Sequence, residues 1–289
     1  MTDHPVAGNS TSVKQFYLLG DAQVFRSKSP DIFSAIMDMA GVTGTYTPVR
    51  VEPGKIGDAI RKIRLLKASG ANVTAPFKEA VLPHLDELSE GAIIIGSINT
   101  IVCRGQTLKG YNTNAIGFMD ALKGAGFNAA GKSALVLGTG GAARAVVFIL
   151  KWIHTERIWV AGRSRENIDA IVNQIGGEAI SLDDLTDRPL PVDLLVNATP
   201  VSDPASDPEL AKRANRLRLP NCERVIDLNY GHPRNFWQDM ARERDIRFID
   251  GLTSLANQAR HTFALWTGIE VDPGRILSII AEFNPNMKT

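Results

Sequence analysis

The sequence predicts an α/β protein of two domains, and three observations lead there. Short apolar runs alternate with amphipathic helical stretches, the alternation starts afresh at Ala134, and the last forty or so residues are helical. Strands alternating with helices argue for crossover connections and a mainly parallel sheet. The length of 289 residues suits one large domain or two modest ones and can bury a substantial core.

In chain order, Gln15–Gly20 reads as a strand and Ser29–Gly41 as a helix, with Ser29 as N-cap and Pro30 pre-set for its first turn. Tyr46–Val51 is a second strand, Lys55–Ser69 a helix and Ala71–Thr74 a third strand. After the restart, Ala134–Leu137 is a buried strand feeding a glycine-rich turn and the apolar helix Ala142–Ile153. Arg157–Ala161, Asp193–Asn197, Arg224–Leu228 and Arg247–Ile249 are further strands. The helices Leu252–Trp266 and Arg275–Phe283, separated by a turn at Gly268, follow the last strand and can reach back to the first domain.

Hydrophobic residues make up 44% and charged residues 22%, ordinary for a globular protein. A net charge of +1 gives no general attraction to nucleic acid or anionic membrane, so any anion site must be local. The longest apolar stretches, such as Ala145–Leu150 and Ile93–Ile95, are too short to span a bilayer. The opening MTDHPVAGNSTSVK lacks the apolar core of a signal peptide and reads as a disordered lead-in, so a cytoplasmic location is expected. Cys103 and Cys222 stand far apart and read as buried, reduced thiols. The histidines His84, His154, His232 and His261 form no metal-ligand grouping, and no metal is expected.

The restart carries the first chemical motif. Gly138-Thr-Gly140-Gly141-Ala142-Ala143 follows a strand and opens a helix, satisfying G-x-G-x-x-A. Glycines there permit a tight turn and close approach of backbone to pyrophosphate, and the helix N-terminus presents free N–H groups to that anion. The next strand ends in Gly162-Arg163-Ser164-Arg165, where a site for NAD would normally place Asp or Glu on the ribose hydroxyl. Arginine suits a 2′-phosphate instead, so a Rossmann-type domain favouring NADP(H) is expected. Asn197-Ala-Thr199-Pro200 ends a later strand, where ligands of open sheets gather.

Four polar clusters mark the first domain. They are Ser27-Lys-Ser29-Pro30, Gly70-Ala-Asn72-Val-Thr74-Ala-Pro76-Phe-Lys78, Gly96-Ser-Ile-Asn99-Thr100 and Gly110-Tyr-Asn112-Thr113-Asn114. Hydroxyls at a helix start make a carboxylate receptor in the first of these, or merely a cap.

In this order the clusters resemble the signature motifs of the shikimate dehydrogenase family, usually written S-x-S-P, G-x-N-V-T-x-P-x-K, G-A-x-N-T and N-T-D-G. The likeness continues through Gly138–Arg144, Asn197–Pro200, Asp227–Tyr230 and Gly251–Ala259, and it covers nearly the whole chain from about Gln15. It implies an N-terminal α/β substrate domain of residues 1–115 joined by returning C-terminal helices, 251–289. A Rossmann-type NADP-binding domain of 116–250 would lie beside it.

The resemblance also implies a reaction and a site. The family interconverts 3-dehydroshikimate and shikimate with NADP(H), and quinate is a close analogue. Lys78 would be the general acid/base, with Asn114 at its partner position. Ser27 and Ser29 would hold the ring carboxylate. Asn72, Thr74, Asn99 and Gln258 would bind or support ring hydroxyls, with Tyr230 near the cleft. Gly138, Gly140, Gly141, Ala142, Ala143, Arg163, Ser164, Arg165, Thr199 and Gly251 would hold NADP. The expected partner is a small hydroxylated ring carboxylic acid, bound by a monomer or homodimer.

Departures bear on the substrate. The family's N-T-D-G aspartate is Asn114 here and the following glycine is Ala115. A neutral amide removes the counter-charge of Lys78 and should lower its pKa. Ala22 and Arg26 replace a usual Pro and His, Ser254 a usual methionine, and Ser202-Asp203 a usual Gly-Met. Asp203 is expected to face outward from its loop. A weakly catalytic ligand- or cofactor-binding protein, or a dehydrogenase of another substrate, is the alternative.

Overall fold

The computed structural model describes residues 13–283, and two six-stranded sheets organise them. The first sheet starts with β1 (Lys14–Gly20), which claims Lys14 from the expected lead-in by pairing it with Gly44; residues 1–12 lie outside the described residues. There follow α1 (Ser29–Met39), β2 (Gly44–Arg50), α2 (Ile56–Leu65), β3 (Gly70–Val73), α3 (Phe77–Ala80), β4 (Glu87–Leu88), α4 (Glu90–Ile95), β5 (Thr100–Arg104) and β6 (Thr107–Tyr111). Their order is β2-β1-β3-β5-β6-β4, with β1 parallel to both β2 and β3.

Three expectations are corrected here. β5 runs antiparallel to β3 and to β6, a hairpin that the parallel pattern did not foresee. Its short turn is enabled by Gly105 at φ +61°, the left-handed region a glycine enters freely. Ser29 is not the N-cap of α1; Lys28 holds that position without a side-chain bond, and Ser27 Oγ instead accepts from Ser29 N at 3.2 Å. The helix expected to Ser69 stops at Leu65, because Lys67 turns to φ +52° before β3 begins.

The chain then passes through α5 (Thr113–Gly124) to β7 (Ser133–Leu137), α6 (Gly141–Trp152), β8 (Arg157–Ala161), α7 (Arg165–Gln174), β9 (Glu178–Ala179) and α8 (Asp184–Asp187). It continues with β10 (Leu194–Asn197), α9 (Pro208–Arg216), β11 (Arg224–Asp227), α10 (Phe236–Glu243) and β12 (Arg247–Ile249), ending in α11 (Leu252–Thr267) and α12 (Pro273–Glu282). The second sheet, β12-β11-β10-β7-β8-β9, is parallel throughout. That is the doubly wound order, reversing direction between β7 and β10. Its strands are buried on both faces, as their near-continuous apolar runs require.

Residue 115, the expected domain boundary, falls in the first turn of α5, a helix both halves use. Phe118 and Leu122 pack into the core around Val136 and Val146. The Gly117 face meets α11 so closely that a Cβ there would lie 2.8 Å from Ser254 O and Gln258 N. Further along α11, Trp266 stacks on Phe16 at 4.5 Å and donates from Nε1 to Ile101 O at 2.9 Å. Ile276 and Ile280 of α12 join the same core, so both C-terminal helices return to the first sheet.

Cys103 and Cys222 are free and half-buried, and burial pushes their thiols up to about 12 and about 11, leaving both protonated and inert. Among the described residues, no helix is long and apolar enough to cross a membrane.

Candidate active site

Each sheet reverses its strand order at one crevice, where ligands of open α/β sheets bind. In the second sheet this lies between β7 and β10. Gly138 (φ +121°) packs so tightly there that a Cβ would meet Ala198 O at 2.7 Å. Gly140 is the N-cap of α6, makes no side-chain cap and has open space where a Cβ would project. N–H groups with no partner among the described residues, at the start of a twelve-residue helix and with room above them, fit a dinucleotide pyrophosphate.

The basic turn after β8 is less uniform than its sequence. Arg165 is held by Asp169, with Nε 2.9 Å from Oδ1 and 3.0 Å from Oδ2. Arg163 is exposed and makes no ion pair among the described residues, so it is the freer cation for a 2′-phosphate. Ser164 caps α7 by accepting from Asn167 N, which leaves its O–H able to donate. Thr199 is tied by its hydroxyl to Asn197 Oδ1 at 2.7 Å, and Gly251 is pressed against Leu228 O, where a Cβ would meet that oxygen at once.

In the first sheet the crevice lies between β1 and β3. A Cβ on Gly20 would come within 2.5 Å of Thr74 Cγ2, which brings Thr74 beside the end of β1. Asn72, at the sheet interior, accepts from Tyr46 O–H at 2.8 Å and donates to Asn99 O at 2.9 Å and Thr100 Oγ1 at 3.1 Å. Burial holds the Tyr46 phenol well above the usual range, and nearby Ser29 partly opposes that rise.

Asn99 stands at the centre. Its Nδ2 faces Thr113 Oγ1 at 2.8 Å, Gln258 Oε1 at 3.1 Å and Asn114 Oδ1 at 3.2 Å. Thr100, Thr113 and Thr262 close a triangle of buried hydroxyls with sides of 2.9 to 3.0 Å. A buried hydroxyl left unpaired costs about 1–3 kcal/mol, so this network rigidifies the pocket only because its members satisfy one another. Tyr46, Thr100, Thr113 and Thr262 escaped the reading of the sequence. Thr100 and Thr113 sit inside its polar clusters and offered a signal; Tyr46 and Thr262 look like ordinary strand and helix positions.

Lys78 stands where the two halves meet. It lies on α3 directly after β3, and a Cβ on Gly141 would be 3.6 Å from Lys78 Cδ and 2.5 Å from Ser97 Oγ. The lysine therefore lies against the first turn of α6. Burial pushes its ammonium down to about 8, and no opposing charge offsets the loss of solvent. Next to it, Glu79 faces Arg144 Nε of α6 at 3.7 Å, while Arg144 Nη1 donates to Gln174 at 2.7 Å and Gln174 Nε2 donates to Ile94 O at 3.0 Å. These contacts clamp the lysine's segment onto the second domain; neither Arg144 nor Gln174 was singled out in the sequence.

Other positions are placed as follows. Among the described residues Ser27 bonds only its local turn, and Arg26 faces solvent. Tyr230 follows β11 on the far side of the junction, half-buried, its phenol raised by burial, and it joins none of the bonds around Asn99. Ser202 donates to the buried Asp227 carboxylate at 2.5 Å, and Asn197 and Asn235 donate to the same carboxylate at 2.8 and 2.7 Å. Asp203 accepts from Ala205 N at 2.9 Å and faces Arg234 at 3.8 Å. Ser254 Oγ is buried without a partner among the described residues.

A doubly wound dinucleotide domain, joined to a polar cleft with a lysine at the junction, defines a two-domain nucleotide-dependent oxidoreductase. Residues 19–101 match the shikimate dehydrogenase substrate binding domain, and residues 121–253 match the shikimate / quinate 5-dehydrogenase family. A shikimate dehydrogenase (NADP(+)) of Thermus thermophilus is 37% identical over 268 residues, covering 90% of this chain and 94% of that one. Its counterpart in Caldanaerobacter subterraneus is 33% identical over 271 residues, covering 89% and 93%. The crystal structure of a Thermus thermophilus shikimate 5-dehydrogenase, in complex with NADP(H) and shikimate, superposes with a TM-score of 0.81. It is 32% identical, covering 93% of this chain and 99% of that one. The chain belongs to the shikimate dehydrogenase family.

Proposed function

We propose that this protein is an NADP-dependent oxidoreductase that interconverts 3-dehydroshikimate and shikimate, or a close ring acid such as quinate. The observation that carries the reading is the position of Lys78: a half-buried lysine, its amine desolvated, lying against the turn that would cradle the dinucleotide. NADP(H), when bound, supplies or takes up the hydride.

The chain's own residues bind, orient and move one proton. Gly138, Gly140, Gly141, Ala142 and Ala143 offer backbone to the pyrophosphate, with Thr199 and Gly251 shaping the opposite wall. Arg163, Ser164 and Arg165 meet the 2′-phosphate. Ser27 and Ser29 take the ring carboxylate, and Thr74, Asn99, Asn114 and Gln258 take ring hydroxyls with Asn72 behind them. Tyr230 closes the cleft from the other domain. Lys78 Nζ accepts the hydroxyl proton during oxidation and returns it during reduction. A pKa of about 8 suits both directions near neutrality, since neither protonation state is scarce.

The test is NADP⁺ reduction followed by absorbance, with shikimate, quinate and related ring acids across pH. The base must be neutral to accept a proton, so kcat/KM for oxidation is expected to rise with pH through about 8 and then level off. Reduction should fall through the same range. Tight NADP binding without turnover of any ring acid would overturn the reading.

A further inference from the structure

One bond sets the orientation of three side-chain amides. A backbone N–H can only donate, and that of Thr113 meets Asn99 Oδ1 at 2.7 Å. Asn99 must therefore turn its NH₂ group toward its other neighbours, among them the oxygens of Asn114 and Gln258. Flipping either of those amides would set NH₂ against NH₂. Asn99 is only 5% exposed, so water cannot replace a bond lost there.

Both carbonyl oxygens consequently point into the network and both NH₂ groups point out of it. Asn114 Nδ2 and Gln258 Nε2 have no hydrogen-bond partner among the described residues, yet neither is among the buried unpartnered atoms. Both therefore keep some contact with solvent at the edge of the network. Within the network itself the acceptors are engaged: Asn72 Oδ1 holds the Tyr46 hydroxyl, and the three threonine hydroxyls hold one another.

We propose that Asn114 and Gln258 present only donors at their part of the pocket wall, so that the substrate group beside the reacting carbon, which they face, is recognised as a hydrogen-bond acceptor and needs no hydrogen of its own. The inference rests on the ring-acid reading and sharpens its substrate class. A hydroxyl there binds through its lone pairs. A carbonyl or a fluorine serves the same two donors. A carboxylate at position 114 would reverse the requirement, because it can only accept.

The test uses the full chain saturated with NADP⁺ and the two deoxyfluoro analogues of shikimate that keep the reacting hydroxyl. Fluorine accepts weakly and cannot donate. For each analogue, kcat/KM is divided by that for shikimate, and the ratio is compared between the native protein and Asn114→Asp. The comparison cancels fluorine's own effect on hydride loss. For the analogue fluorinated next to the reacting carbon, the native ratio should be about tenfold higher or more, the cost of stranding a buried acceptor. Gln258→Glu should act alike and serves where Asn114→Asp fails to fold. Equal ratios in the native protein and both variants overturn the proposal.

Calorimetric dissociation constants for the same acids yield the same ratios without turnover. Unequal binding ratios with no turnover would sink the proposed reaction and leave the paired donors of Asn114 and Gln258 standing. Turnover with equal ratios would do the reverse.

Discussion

The two crevices of this molecule differ in what faces the ligand. At the end of β7 the surface is mostly backbone: Gly138, Gly140 and Gly141 supply a tight turn, open space and the start of α6. At the end of β3 the surface is side chain: amides and hydroxyls from β3, β5, α5 and α11 hold one another through bonds of 2.8 to 3.2 Å. Helix N–H groups bind any suitably shaped anion, so one short motif suffices. A pocket of mutually bonded side chains changes its donor and acceptor pattern with a single residue, as Asn114 illustrates. The first kind of site preserves a cofactor class; the second is where substrate choice is set.

The division can be broken at its junction. Lys78→Met should lower kcat by about 10²–10⁴-fold, the range for losing a proton-transfer group, while NADPH affinity measured by fluorescence titration stays unchanged. A parallel loss of NADPH affinity would assign Lys78 to the nucleotide side and erase the distinction.

A smaller effect sharpens the nucleotide side. Arg163→Ala should weaken NADPH about 10–100-fold, the worth of charge-assisted bonds to phosphate, with NADH little affected. Arg165→Ala should cost less, because Asp169 already engages that guanidinium. Equal losses from the two variants would mean that the Arg165–Asp169 pair opens on binding.

The smallest change tests the substrate side. Thr262→Val keeps the side-chain shape but withdraws one hydroxyl from the buried triangle, leaving Thr100 and Thr113 each one bond poorer. Urea unfolding should show a loss of about 1–3 kcal/mol. An unchanged midpoint would mean that the triangle is not a cohesive unit.

Legibility in the sequence followed the same division. The strand-turn-helix around Gly138 was readable because its residues are consecutive and the turn's backbone demands glycine. Polar clusters around Asn72, Asn99 and Asn114 were readable as clusters, yet not as a network. The bond from Asn99 to Gln258 spans 159 positions, and no local pattern encodes it. The β5–β6 hairpin was missed because its strands lie between two polar clusters and were not read as strands at all.

By itself the sequence determined the two α/β units, the glycine loop and the polar residue types that a hydroxylated acid requires, since these follow from periodicity and short-range backbone chemistry. Only the tertiary structure decided that α5 serves both halves, that Lys78 lies against α6, and that Asn114 turns its NH₂ outward. Those outcomes depend on which distant atoms share a buried volume, where one backbone N–H fixes which way the Asn99 amide turns and the amides it meets must answer.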